Sequence, residues 1–298
     1  MYTQYSPPLP GVEWSGKGAP KSQAPEECLE ELTEFYEAIM AGDWEYFALA
    51  EDYAPGFYTL LDALAATDAN GHYVKGQVTG PISYGLSVTD AKDQAVLHND
   101  QMADATVKGL AAQARWQAAR LSQQTGRKVI IFFDEPYLSA LGSGYMPVTP
   151  DRAVDLISQV VSATQEEGAL VGIHCCGNTD WSLVMDTGAD IVNFDAYEYL
   201  QGMLLYPDAL RGFLERGGTL AWGLVPSSDA VNETSTDDCV QHFFDSVDKL
   251  AAKGLPKDLL QRSVLITPSC GAGTLDVQTA ETMIARTREA ADAIRARL

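Results

Sequence analysis

His174 and Cys176 stand two residues apart at the end of an apolar run, Leu170 to His174, that reads as a strand. Side chains alternate along a strand, so this spacing puts the imidazole and the thiol on one face and sends Cys175 to the other. Such a pair suits a metal. Cys270 ends a later strand pattern and Asp195 ends the pattern that follows His174. One imidazole, two thiols and one carboxylate make a tetrahedral, borderline-soft ligand set suited to zinc. Taken singly, His174 also reads as a hydrogen-bonded core histidine and the thiols as small buried hydrophobes. Their joint placement at strand ends favours the metal. A second group, Asp134-Glu135-Pro136, follows the apolar run Ile130-Ile131-Phe132-Phe133. The proline keeps Glu135 extended, so at least one of the two carboxylates is expected at the strand mouth, where it could hold a substrate amine or transfer a proton. The competing reading is a strand cap or helix-start acid.

These groups need a scaffold that brings strand ends together. From about residue 70, short β-branched runs alternate with longer amphipathic stretches, the pattern of repeated strand-helix units around a parallel sheet. The strand patterns are Tyr73 to Thr79, Lys128 to Phe133, Leu170 to His174, Asp190 to Phe194, Gly218 to Leu224 and Ser263 to Thr267. Helical patterns lie between them, including Ala95 to Gln123, Pro150 to Glu167, Thr236 to Lys253 and Val277 to Leu298. Thr149-Pro150-Asp151 is a helix start, and Gly168 and Gly254 follow last helical positions. The expected fold is an α/β (β/α)8 barrel of TIM type, a single domain over residues 1–298, with its first strand lacking or modified. Residues 1–52 read as an irregular and helical segment, in which Glu45 to Ala50 is a weak strand pattern and Pro7, Pro8 and Pro10 oppose a central strand.

With 41 acidic against 20 basic residues, the net charge of −21 repels phosphate backbones and anionic lipid. No nucleic-acid or membrane partner is expected. No apolar stretch reaches the roughly 18 residues of a spanning helix, and the N-terminus lacks a basic region followed by an apolar core. Five cysteines, an odd number without scaffold spacing, fit a reducing, cytoplasmic setting. Cys28, Cys239, His98 and His242 fall on helical patterns, where packing or exposure accounts for them. Trp181 and Tyr197 could line a pocket or cover the core.

The segments His174-Cys175-Cys176-Gly177-Asn178-Thr179, Gly188 to Asp195, Thr267-Pro268-Ser269-Cys270-Gly271 and Phe133-Asp134-Glu135-Pro136 together resemble the catalytic half of cobalamin-independent methionine synthases, within the uroporphyrinogen decarboxylase-like barrels. The resemblance runs from about Tyr53 to the C-terminus. It implies a zinc ion on His174, Cys176, Asp195 and Cys270, with Asp195 where the methionine synthases usually carry Glu, and it implies that Asp134 binds the ammonium group of an amino-acid substrate. The implied activity is methyl transfer to a small thiol, homocysteine first. The family's full-length members carry an additional folate-holding barrel for which this chain has no room, and the Gly-Ser-hydrophobic-Pro opening strand is missing. Methylcobalamin, free or on a corrinoid protein, is therefore the expected donor, with methyltetrahydrofolate as the alternative. An open barrel edge would favour a homodimer. A coenzyme M-type thiol ends in a sulfonate, and the strand-end residues include no Lys or Arg to meet it. A decarboxylase of the same superfamily would need several arginines at the mouth, and a non-enzymatic zinc-binding docking subunit would need only a closed site.

Overall fold

The computed structural model describes residues 1–66, 71–141 and 148–298. Their contacts divide into two compact units, Met1–Glu135 with Val148–Gly172, and Pro136–Pro147 with Ile173–Leu298.

The first unit opens with a 3-10 turn at Tyr2–Tyr5, a short antiparallel pair of β1 (Val12–Glu13) and β2 (Lys21–Ser22), α1 (Leu29–Ala41) and α2 (Pro55–Ala65). Glu45 to Ala50 is not a strand: Trp44–Phe47 form a 3-10 turn. The alternation that imitates a strand comes from Phe47 and Leu49, both buried, with the Phe47 ring packed edge-on against Phe35. Next come β3 (Tyr73–Thr79), α3 (Pro81–Ser87), α4 (Asp100–Thr125), β4 (Lys128–Asp134) and α5 (Pro150–Gln165). β3 and β4 pair in parallel from Tyr73 against Lys128 to Thr79 against Asp134. The helix start read at Thr149 is present, and α4, read from Ala95, begins at Asp100 behind a cap at Asn99. Asn99 accepts from the backbone N–H groups of Gln101 and Met102 at the start of α4, and Thr149 accepts from that of Arg152 at the start of α5.

The backbone of β3 at Gln77 is met by side chains. The Gln117 carboxamide of α4 donates to the Gln77 carbonyl at 3.0 Å and accepts from the Gln77 N–H at 3.3 Å, and the Tyr5 hydroxyl donates to the same carbonyl at 2.8 Å. A glutamine thus makes the two bonds that a neighbouring strand's peptide would make. Gly76 permits the approach, since a Cβ there would lie 3.0 Å from Gln117 Oε1 and 2.7 Å from Ile131 Cδ1.

β5 (Leu170–Cys175) carries its last three residues into the second unit. There follow α6 (Trp181–Asp186), β6 (Ile191–Phe194), α7 (Leu200–Met203), α8 (Pro207–Glu215), β7 (Thr219–Val225), α9 (Thr236–Ala252), α10 (Lys257–Arg262), β8 (Val264–Pro268) and α11 (Val277–Arg295). β6 pairs with β7 and β7 with β8, all parallel. Trp181, Phe194, Trp222 and Phe243 form a chain of rings with successive centroids 6.0, 5.3 and 5.1 Å apart. Trp181 therefore belongs to the core.

The fold is mixed α/β. Among the described residues, six parallel strands succeed one another in chain order, against the eight of the expected barrel. All six strand patterns of the sequence are present within one residue at each end. Among the same residues no helix is long and apolar enough to cross a membrane.

Candidate metal centre

β5 ends in His174 and Cys175, and β8 ends just before Ser269-Cys270. The alternation along β5 holds. Cys175 is fully buried, with its thiol directed at the Gly177 carbonyl at 3.5 Å, while His174 and Cys176 are partly open. His174, Cys176 and Cys270 each bring one ligand atom to within 4.8 Å of the others. A zinc ion bonded at about 2.0–2.1 Å to nitrogen and about 2.3 Å to sulfur keeps tetrahedral ligands roughly 3.5–3.8 Å apart, so this group fits one ion. Cys270 is exposed and Cys176 half-buried, which gives the group an open side.

Backbone proximity sets up this convergence. A Cβ at Gly223 of β7 would lie 2.7 Å from the Phe194 carbonyl oxygen, 2.9 Å from Ser269 Cα and 3.2 Å from Asp195 Cα. Only glycine lets the ends of β6, β7 and β8 come so close. Ser269 is then fastened by its N–H to the Val225 carbonyl at 2.8 Å and by its hydroxyl to that of Ser227 at 2.9 Å, which fixes the chain just before Cys270.

The two thiols are hydrogen-bonded to each other and shift in opposite directions. A hydrogen bond from Cys176, and then one from His174, hold the Cys270 thiol well below its ordinary range. The same bond with Cys270, followed by burial, pushes Cys176 up. Hydrogen bonding therefore favours ionisation of Cys270 over that of Cys176, and a thiolate is the form that binds a metal.

His174 Nδ1 lies 2.7 Å from Asn193 Oδ1, and the Asn193 amide nitrogen donates to the Ala221 carbonyl at 2.9 Å and to Thr267 Oγ1 at 3.0 Å. Asn193 was not singled out from sequence, although it is the one polar residue of β6, a strand buried at all four positions. A buried amide in an apolar run was the available signal.

The chain matches no protein-family model and no curated protein.

Among the described residues, Asp195 is not part of the group within 4.8 Å, and neither is Glu198. Asp195 Oδ1 accepts from the Glu198 N–H at 2.9 Å, so the carboxylate caps the turn after β6. Burial raises its pKa, opposed by the Glu198 N–H bond, and the charges of Glu198 and Cys270 add to the rise.

Asp134 and Glu135 belong to the first unit. Asp134 is buried and receives the Gln77 amide. Glu135 is fully buried at the start of α3, where it accepts from the N–H groups of Ile82 and Ser83, both at 2.8 Å, and from the Ser83 hydroxyl at 2.6 Å. Burial pushes its pKa up to about 7 despite these donors, with a further push from Asp134. A Cβ on Gly80 would overlap the Glu135 carboxyl group, so this corner accepts only glycine.

Proposed function

We propose that this chain is a zinc-dependent methyltransferase that activates a small thiol, homocysteine first, and takes the methyl group from a methylated corrinoid. The observation that carries this reading is the convergence of His174, Cys176 and Cys270 within 4.8 Å on an open side of the second unit. A structural zinc site is closed by four strong ligands, whereas a catalytic one combines three protein ligands with an exchangeable position. Bound there, zinc supplies the Lewis acidity that keeps an incoming thiol deprotonated at neutral pH.

The protein's own groups do the rest. Cys270, whose ionisation its hydrogen bonds favour, and Cys176 would supply the negative charge that retains the ion, and His174 would add a neutral donor. Asp195 is proposed as the loosely held fourth ligand. Its engagement with the Glu198 N–H supports weak attachment, because that bond competes for the same carboxylate. The assignment of Asp134 to the substrate ammonium comes with the family resemblance, and the Gln77 amide supports it by orienting the carboxylate. Glu135 fastens the end of β4 to the start of α3 and so sets the strand end on which Asp134 stands. The corrinoid donor rests on the family resemblance alone.

The test is methionine formation by zinc-loaded protein from homocysteine, with methylcobalamin and methyltetrahydrofolate as separate donors. Turnover with methylcobalamin exceeding that with the folate supports the reading. The reverse order overturns the donor, and no thiol methylation with either donor, or with coenzyme M as acceptor, overturns the activity.

A further inference from the structure

Asn193 carries an amide in the middle of an otherwise apolar, buried strand, a placement that costs free energy unless the group's hydrogen-bonding capacity is used. Here it is used in one sense only. The Ala221 carbonyl is an acceptor and nothing else, so the atom 2.9 Å from it must be the amide nitrogen. The same nitrogen reaches Thr267 Oγ1. With its nitrogen committed, the amide turns its oxygen toward His174, 2.7 Å from Nδ1. An oxygen acceptor at that distance requires a proton on Nδ1. A neutral imidazole with its proton on Nδ1 leaves Nε2 with a bare lone pair, the form that ligates a metal. Each of four successive strands contributes one member: His174 on β5, Asn193 on β6, Ala221 on β7 and Thr267 on β8.

We infer that Asn193 is a positioning residue: held by Ala221 and Thr267, it selects the Nδ1–H tautomer and the ring orientation of His174 and so presents Nε2 to a metal ion. This rests on the reading of His174 as a metal ligand, but not on the reaction proposed above. It specifies which nitrogen binds. It also makes the zinc affinity of the chain depend on a residue that touches no metal, as partners of ligating histidines do elsewhere.

The test uses the full chain and zinc alone, with affinity read by competition against a chromophoric chelator. Asn193→Ala should weaken zinc binding about 10- to 100-fold. Asn193→Asp keeps an oxygen opposite Nδ1 but turns its other oxygen on the Ala221 carbonyl, which only accepts, so its affinity should fall between those of Asn193→Ala and the unaltered protein. Equal affinity in Asn193→Ala and the unaltered protein overturns the inference. Both variants disturb a buried residue, so a second measurement on the unaltered, metal-free chain stands beside them: long-range proton–nitrogen NMR of the histidine rings. A His174 ring that keeps its proton on Nδ1, whether or not Nε2 also carries one toward Cys270 in the metal-free chain, supports the inference, and a ring protonated on Nε2 alone overturns it. If the unaltered chain binds no zinc, the proposed function and the inference both fail, whereas zinc binding without methyl transfer removes the proposed function and leaves the inference standing.

Discussion

Two clusters at strand ends of this molecule carry acidic or thiol groups at the positions where parallel α/β folds place their chemistry, and they use them in opposite ways. At the end of β4, Glu135 is fully buried and its two oxygens accept three hydrogen bonds from Ile82 and Ser83, all supplied by the adjoining helix start. At the ends of β5 and β8, His174, Cys176 and Cys270 lie within 4.8 Å of one another, with Cys270 exposed and the two thiols hydrogen-bonded to each other. The first cluster is saturated from within. In the second, the donor atoms converge on one another, and the outer imidazole nitrogen is held from behind by Asn193. Proximity to a strand end therefore does not by itself mark a reactive group. What marks it is whether neighbouring donors and acceptors already fill the group's hydrogen-bonding capacity.

The contrast can be broken most severely at Cys270. Replacing it with serine removes one of the two converging thiols, and metal analysis should find zinc falling from about one per chain to a small fraction. Full occupancy in that variant would sink the ligand assignment.

The saturated cluster is expected to respond through stability instead. Gly80→Ala drives a methyl group into the Glu135 carboxyl group and should cost about 1 to 3 kcal/mol, read as a lower denaturation midpoint. An unchanged midpoint would mean that the corner is loose.

Glu135 also gives a pH signature. Its folded pKa of about 7 lies above the ordinary value of 4.5, so between those limits the folded chain holds more protons than the unfolded one. Its contribution to stability is complete below about pH 4.5 and is lost as pH rises toward 7. Glu135→Gln should flatten that decline. Its amide nitrogen would also face a backbone N–H, at a cost of about 1–3 kcal/mol for the unsatisfied donor. Equal slopes in denaturation midpoints measured from pH 4.5 to 7 would show that the carboxyl group keeps an ordinary pKa.

Smaller effects sharpen the open cluster. Asp195→Ala should retain most of the zinc and reduce methyl transfer, a split that separates a loosely held ligand from a strong one, whereas zinc loss as complete as in Cys270→Ser would rank Asp195 among the strong ligands. Cys175→Ala should leave zinc content unchanged, because this thiol points away from the group toward the Gly177 carbonyl. A metal-depleted Cys175→Ala protein would contradict the strand-face argument.

Most of what the sequence alone made legible was local. Apolar runs of strand length bounded by turn residues announced all six parallel strands, and the period of two along β5 separated His174 and Cys176 from Cys175, because alternation is a property of the extended backbone whatever surrounds it. The helix start at Thr149 was readable for the same reason, since a cap acts within three residues. Where the local pattern had two physical origins it misled. The alternation of Phe47 and Leu49 reflects burial beside a 3-10 turn and not a strand.

Tertiary structure decided everything that depends on which chain segments lie side by side. The meeting of Cys270 with residues almost a hundred positions earlier follows from the register of β7 on β8 and from the absence of a side chain at Gly223. The bonds that a further strand could have made to β3 at Gln77 are made by the Gln117 and Tyr5 side chains, from segments with no strand pattern. Glu135 accepts from Ile82 and Ser83, about fifty residues before it, and Asn193 bonds to His174, Ala221 and Thr267, each on a different strand. Periodicity reports only the face a residue presents, whereas a hydrogen bond needs its partner within about 3 Å, and that partner is chosen when the strands align.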